Sequence, residues 1–454
     1  MSYIKSFAFY LPRHTVADAV FVSGGRKNMH SVSYVDEDIL TMAFESCKNL
    51  NTDGVDAVIF ATTTPVFKDR YHASYLADLL NLPEGITAFD LGTTNRSGTD
   101  ALYIADSMIQ SGRYNNILLL AADINFLEIG QETSQPFGHG AVAIVISKDK
   151  GIAEITRTST YSSSFAEKFQ YKGETVEYDA RFARNVGFIH NMNLVLSDLN
   201  PLEIDGLMIN AVYAKAIMKS LKKASFDLDK QLLPDILISK CGYLGSAHGL
   251  LRLIHSVENI HGTAVLIDYN NGSNVICVKT NAQGKRSKLF TDFLNNKTVI
   301  QSYNEYLILR KQGKFDDPAY KTNQMFSSEM MYEREKDQLL RLKGFECTQC
   351  NTTYLIKAAR CNKCKGEEFT SKQLSTFGTV YTLTSEYYYP SSFPPTNMVV
   401  IDLEGGGRIT VQQTDDLRQD DSNRLNIGDK VQLVLRKMIE TDSKPNYFWK
   451  CRKL

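Results

Sequence analysis

Up to about residue 280 the sequence alternates between two textures, and that alternation limits the folds open to it. Short apolar runs (DAVIFATTT, NNILLLAAD, AVAIVIS, DGLMIN, GTAVLID) are separated by stretches with helical periodicity (HASYLADLLNL, GTDALYIADSMIQSG, AKAIMKSLKKA, GLLRLIHSVENI). Runs this apolar need cover on both faces, and helices placed between them supply it. The pattern predicts an α/β fold with largely buried strands. At 454 residues the chain exceeds one ordinary hydrophobic core, so two or three domains are expected.

The texture changes twice more. Residues 283–343 are rich in Lys, Gln, Asn, Tyr, Glu and Arg and hold the helical pattern EMMYEREKDQLLRL. They read as a helical connector, because a bare tether rarely keeps so many Tyr, Phe, Leu and Met residues. From 344 to 368, GFECTQCNTTYLIKAARCNKCKGEE places Cys347 and Cys350 in one C-x-x-C and Cys361 and Cys364 in another. Two such knuckles complete a tetrahedral all-cysteine site, predicted to hold a structural zinc with no open position. A redox C-x-x-C is the weaker alternative, since it needs one pair at a helix start in a thioredoxin-like setting.

Residues 369–454 carry about five strand-like runs separated by Pro, Gly and Asp-rich turns, which predicts a small β-barrel of OB type. Such barrels often bind single-stranded nucleic acid. Residues 370–454, however, hold 11 Lys or Arg against 10 Asp or Glu, which is no footprint for a polyanion. Tyr387, Tyr388, Tyr389 and Phe393 read as a packing surface, and GGGR at 405–408 as a β-turn.

Whole-chain properties narrow the partners. Lysines plus arginines (51) equal aspartates plus glutamates (51), so no global field steers the protein toward nucleic acid or anionic membrane. No window approaches 18 apolar residues, so no membrane span is expected. The start, MSYIKSFAFYLPRHTV, lacks the pattern of a secretory signal, which predicts a reducing cytoplasm where the eight cysteines stay thiols or bind metal.

Two resemblances cover most of the chain. GFECTQC, CNKC, FGTVYTLT and NMVVIDLEGGGRI resemble, in order, the rubredoxin-type zinc ribbon plus OB-fold proteins that accompany thiolases and acyl-CoA enzymes. FAFYLPRHTV, DAVIFATTTP, AFDLGTTNRSGTDAL, NNILLLAAD, FGHGAVAIVIS, PDILISKCGYLGSAHGLL and HGTAVLIDYNNG resemble the thiolase superfamily, nearest its hydroxymethylglutaryl-CoA synthase and ketoacyl-ACP synthase III branch. For residues 1–282 the resemblance implies a five-layered fold of two pseudo-equivalent halves, about 1–150 and 151–282, that dimerises. It also implies a cysteine acylated by a CoA or carrier-protein thioester, with a His and an Asn or Glu managing protons and the oxyanion.

This sequence departs from that set at every matching position. The nucleophile position falls on Asn95, the synthase glutamate on Thr63, the histidine on Asn210 and the asparagine on Tyr243. An amide cannot form the acyl-enzyme. Substitutes are offered by Tyr243, which could donate a proton as in aldolase-like relatives, by His139 in the Gly-His-Gly turn, and by His248, seven residues after Cys241. Their plainer readings are a packed tyrosine, a helix-start histidine and a buried thiol. His255, His261, Cys47, Cys277 and Cys451 stand in no metal or activating motif.

The expectation is therefore a non-catalytic or auxiliary subunit of an acyl-CoA condensing or acyl-transfer complex. It would be homodimeric, bind CoA, acyl-CoA or an acyl carrier protein, and work with a separate active thiolase or ketosynthase. An enzyme of altered chemistry, aldolase-like or a non-covalent acyltransferase, is the alternative. Nucleic-acid binding by the barrel is the third and least favoured reading.

Overall fold

The computed structural model describes residues 1–25, 28–127, 129–132, 137–172, 174–280, 297–310, 329–388, 393–417, 423–438 and 445–454. They form two compact units. The first gathers Met1–Val32, Ser46–Asp78 and Leu82–Tyr303, and the second Ser33–Glu45, Leu79–Asn81 and Asn304–Leu454.

The first unit is built on one nine-stranded sheet. Its strands in chain order are β1 (Ser2–Tyr10), β2 (Ala57–Ala61), β3 (Thr87–Leu91), β4 (Asn116–Asp123), β5 (Gly140–Ser147), β6 (Ala153–Ser162), β7 (Gly206–Asn210), β8 (Gly262–Tyr269) and β9 (Gly272–Thr280). The spatial order is β7-β8-β9-β6-β1-β5-β4-β2-β3. Outward from β1 the pairings run antiparallel to β5, antiparallel to β4, then parallel to β2 and β3. Outward from β6 they run antiparallel to β9, antiparallel to β8, then parallel to β7. Beyond β7 a single parallel bridge, Leu207 to Leu232, stands where a further strand would lie.

Alternate residues of each strand serve opposite faces, as a period of two requires. Ile59, Leu119 and Ile144 share a core with Leu102 and Ala105 of helix α2 (Ser97–Gln110) and Leu250 and Leu253 of helix α5 (Ser246–Asn259). On the other face Leu207, Ile209, Val265 and Ile267 pack with Phe188, Met192 and Val195. They also pack with Ile217 and Leu221 of helix α3 (Ala214–Lys223). Helices α2 and α5 approach so closely that a Cβ on Gly98 would lie 2.0 Å from the Ser246 carbonyl oxygen, so only glycine fits there. The other helices that matter below are α1 (His72–Leu79) and α4 (Ile236–Cys241).

The second unit contains a closed barrel of β10 (Phe377–Glu386), β11 (Thr396–Leu403), β12 (Arg408–Gln413), β14 (Tyr447–Lys453) and β13 (Lys430–Lys437), given in barrel order. A three-stranded sheet of Lys343–Cys347, Thr353–Tyr354 and Phe369–Gln373 carries the cysteine knuckles. Segment 33–45 belongs to this unit although it lies far away in sequence, and charge holds it there. Fully buried Arg436 pairs with Asp36 at 3.4 Å, Glu37 at 3.0 Å and Asp415 at 3.4 Å. Lys450 reaches Asp36 at 2.8 Å, the Tyr447 hydroxyl donates to Asp38 at 2.7 Å, and the Tyr34 hydroxyl donates to Asp416 at 2.8 Å. Removing one partner of such a network strands the others in a dry site.

The described parts of the connector hold a strand, Thr298–Ile300, paired with His14–Ala17, and the helices Tyr303–Leu309, Glu329–Arg334 and Lys336–Leu339. Residues 283–296 and 311–328 of that stretch, and Tyr389, lie outside the described residues. Tyr387 and Tyr388 are 70% and 97% exposed in the single chain, and Phe393 stacks on Tyr34 at 5.7 Å. Among the described residues no helix is long and apolar enough to cross a membrane.

Burial pushes the Asp416 carboxyl up to about 7, with the Tyr34 hydrogen bond opposing. A carboxyl whose folded pKa is raised stabilises the fold fully below its unfolded value near 4 and loses that contribution as pH rises through about 7. Thermal unfolding followed between pH 4 and 8 is expected to show a decline worth roughly 2–4 kcal/mol that Asp416→Asn removes. A pH profile identical in the two proteins would contradict this.

Candidate functional site

The site is assembled where β2, β3, β4, β7 and β8 end and helices α2 and α5 begin. β3 runs through Gly92 into Thr93, which adopts a left-handed φ of 85°, and α2 starts at Ser97. Asn95 therefore occupies a strand-to-helix elbow, half-buried.

Two acids that close apolar strands organise the surroundings. Asp268, near the end of β8, accepts from Thr99 Oγ1 at 2.7 Å and Asn210 Nδ2 at 2.8 Å. Burial raises its pKa, and these donors oppose the rise. Asn274 donates to Thr99 Oγ1 at 3.0 Å and to Asp100 at 2.7 Å, which extends the network along α2. Asp123, the last residue of β4, accepts from the backbone and hydroxyl of Thr63, at 2.6 and 3.0 Å, and from the Thr62 hydroxyl at 2.9 Å. It also accepts from the Ser246 amide at 2.6 Å, joining the loop after β2 to the start of α5. Its pKa is likewise raised, by burial first. A Cβ on Gly245 would stand 2.2 Å from Asp123 Oδ2, so the turn before α5 needs glycine both for that approach and for its φ of 57°.

The residues singled out from sequence divide into two groups. Asn210, Tyr243 and His248 come together: Tyr243 stands beside Asn210, and its ring lies 4.6 Å from that of His248. Burial, then the Asp268 charge, raises the Tyr243 pKa and keeps the phenol protonated. His248 is fully engaged. The Leu244 amide donates to Nδ1 at 3.3 Å, which leaves the proton on Nε2, and Nε2 donates to Asp235 at 2.8 Å. Burial alone would raise the Asp235 pKa, but the His248 hydrogen bond and the Arg252 charge hold it at about 2.

Thr63, His139 and Cys241 each serve a different partner. Thr63 is committed to Asp123. The amide of buried His139 donates to the Ser31 carbonyl, and its ring stands edge-on to Phe126 at 4.5 Å. The Cys241 thiol donates to the Leu237 carbonyl of its own helix, and burial pushes it up to about 12. Asp123, Asp268, Thr99, Asn274 and Asp235 were not anticipated. A signal did exist, since NNILLLAAD and GTAVLID both end an apolar run on an acid that must find donors once buried.

In the second unit, the four Sγ atoms of Cys347, Cys350, Cys361 and Cys364 lie within 4.8 Å of one another. The separations Cys347–Cys364 and Cys350–Cys361 are 3.5 and 3.4 Å. All four are free thiols. Tetrahedral ligands about 2.3 Å from a zinc ion would stand at about 3.8 Å, so the donor set fits such an ion. The Tyr354 hydroxyl lies 3.3 Å from Cys361 Sγ and holds that thiol down to about 5.

Comparison with known proteins agrees with this architecture. A family profile described as 3-oxoacyl-[acyl-carrier-protein (ACP)] synthase III matches residues 89–164, and one described as ChsH2, C-terminal OB-fold domain, matches 371–436. Hydroxymethylglutaryl-CoA synthase of Methanopyrus kandleri is 21% identical over 306 residues, covering 63% of this chain and 87% of its own. PksG, an HMG-CoA synthase from Bacillus subtilis, superposes with a TM-score of 0.58 at 14% identity, over 68% of this chain and 88% of its own. The HMG synthase of the curacin biosynthetic pathway, solved in complex with holo donor-ACP, superposes with a TM-score of 0.57 at 16% identity, over 68% and 88%. The chain thus shares the fold of these synthases over about two thirds of its length, matches a ketoacyl-ACP synthase III profile in part of it, and adds a four-cysteine cluster able to hold a metal and a closed barrel that matches an OB-fold profile.

Replacing Cys361 with Ser is expected to lower bound metal, measured by plasma mass spectrometry, from one ion per chain to near zero, since a tetrahedral set missing one thiolate binds far more weakly. Unchanged metal content would contradict the four-ligand site.

Proposed function

We propose that this chain is a non-catalytic or auxiliary subunit of an acyl-CoA condensing or acyl-transfer complex, acting beside a separate thiolase or ketosynthase that supplies the nucleophile. The observation that carries the reading is Asn95 at the elbow, with no activated thiol beside it among the described residues: Cys241 is pushed up to about 12 and is bonded to its own helix. His248, with both nitrogens engaged, has none left for a substrate proton.

The finer features of the fold belong to the same proposal. The shared start of the pairing series outward from β1 and β6, two antiparallel steps and then a parallel one, favours two pseudo-equivalent halves in five layers. Half-buried β3, an edge of the sheet, favours a homodimer through this domain. The cysteine cluster takes a structural zinc, and the protein works in the cytoplasm. CoA, an acyl-CoA or an acyl carrier protein is the partner at the elbow. Exposed Lys215, Lys219, Lys222 and Lys223 on α3 give an acidic carrier a cationic face to meet.

Intact-mass analysis after incubation with acetyl-CoA is expected to show no acyl adduct on the purified chain, while co-purification from source cells brings down a thiolase or ketosynthase. A stoichiometric adduct, or robust acyl transfer by the chain alone, would overturn the reading.

A second reading rests on Tyr243, a protonated phenol beside Asn210 and Asp268 that could act as an acid in aldolase-like chemistry. It is favoured if the isolated chain cleaves or forms a carbon–carbon bond on an acyl-CoA and Tyr243→Phe lowers that rate by about 100-fold or more.

A further inference from the structure

The four cysteine sulfurs of the second unit converge on one point yet differ in their surroundings. Cys347 and Cys361 are fully buried, whereas Cys350 and Cys364 are half-buried. The other four thiols, Cys47, Cys241, Cys277 and Cys451, are buried. A reagent in solution therefore meets two sulfurs first, those of Cys350 and Cys364.

A metal-bound thiolate can only accept hydrogen bonds, and each one it accepts draws off charge that a nucleophile needs. Thr352 Oγ1 lies 3.1 Å from Cys350 Sγ, and the Tyr354 hydroxyl lies 3.3 Å from Cys361 Sγ. The direction of the second is set, because the Tyr354 oxygen already accepts from the Asn362 amide at 2.9 Å and keeps its proton for sulfur. Backbone amides face these two sulfurs as well, Thr352 at Cys350 and Lys363 and Cys364 at Cys361. Among the described residues no hydroxyl reaches Cys364. Its Sγ has Cys347 Sγ at 3.5 Å and the Gly366 amide facing it.

Charge favours the same sulfur. Lys363 and Lys365, both exposed, flank Cys364 and offset part of the negative charge that four thiolates bring to a divalent ion. Reactive thiolates sit in such partly exposed, electropositive surroundings. We propose that Cys364 is a modification site, the sulfur of the cluster that a soft carbon electrophile alkylates while the metal is bound, with Thr352 and Tyr354 quieting its neighbours. In that step the Cys364 sulfur bonds to the β-carbon of an α,β-unsaturated carbonyl and the carbon–carbon π bond breaks. Water gives a proton to the α-carbon, and the hydroxide left behind balances the thiolate charge lost. The thioether product is a far weaker ligand, so the ion is held by three thiolates and leaves more readily. This rests on the reading that the cluster takes zinc.

N-ethylmaleimide, a neutral reagent of this class, tests the proposal on the full zinc-loaded chain, with adducts located by peptide mass mapping and zinc release followed with a chromogenic chelator. At sub-stoichiometric reagent Cys364 is expected to carry about fivefold more adduct than Cys350, or a larger excess still. Zinc release should keep pace with that adduct, at a rate proportional to reagent concentration. Thr352→Val, which removes the hydroxyl at Cys350 and leaves Cys364 alone, should bring the two toward equal labelling. Equal labelling in the natural protein, first attack at any other cysteine, a ratio unmoved by Thr352→Val, or a rate independent of reagent concentration, which means attack only after the metal has left, would each overturn the proposal. The comparison within the natural protein needs no variant, so a misfolded Thr352→Val leaves it decisive. Zinc is counted by plasma mass spectrometry before the reagent is added. A chain that binds none defeats the zinc reading itself, whereas a zinc-loaded chain with equal labelling defeats only the assignment of Cys364.

Discussion

Burying a carboxylate at the end of an apolar strand obliges its surroundings to supply donors, and the first unit is arranged around two instances of that obligation. Asp123 draws in the loop after β2 and the first amide of α5, while Asp268 draws in α2 through Thr99 and β7 through Asn210. Because each acid binds groups from separate elements, the elbow, the loop of Thr63 and the turn of Tyr243 are fixed together. The tight crossing of α2 and α5 at Gly98 makes this reach short enough for hydrogen bonds. In a low-dielectric site an acid left without those donors would favour its neutral form or open the fold to water.

The same physics shapes the second unit with more charge. Arg436 brings Asp36 and Glu37, from a segment early in the sequence, together with Asp415 beside the barrel strands. Exposed ion pairs of the kind seen between Arg360 and Glu367 contribute little. A fully buried arginine with three carboxylates is different, since its value lies in specifying one arrangement more than in adding stability. The cysteine knuckles act comparably at short range, gathering two hairpin turns that have few apolar residues of their own.

With Asn95 at its elbow, the site is polar, donor-rich and without an activated nucleophile among the described residues. Tyr243 and His248 illustrate why residue identity alone is a poor guide to chemistry. Both lie where a catalytic group would be useful, yet His248 is committed to Leu244 and Asp235, and Tyr243 is held protonated by its burial beside Asp268. Arg96 is the opposite case, an ordinary residue in a linear reading whose guanidinium turns inward to pair with Asp100.

Periodicity, cysteine spacing and turn residues determined the α/β class, the barrel and the four-cysteine cluster, because each depends on residues near one another in sequence. The partners of Asp123, Asp268 and Arg436 depend on contacts across many tens to hundreds of residues. No local pattern encodes which hydroxyl or amide will stand within hydrogen-bonding reach of a buried acid. That is why segment 33–45 joining the barrel unit, the engagement of His248 and the inward turn of Arg96 were decided only by the tertiary structure, through the need of each buried charge for a partner.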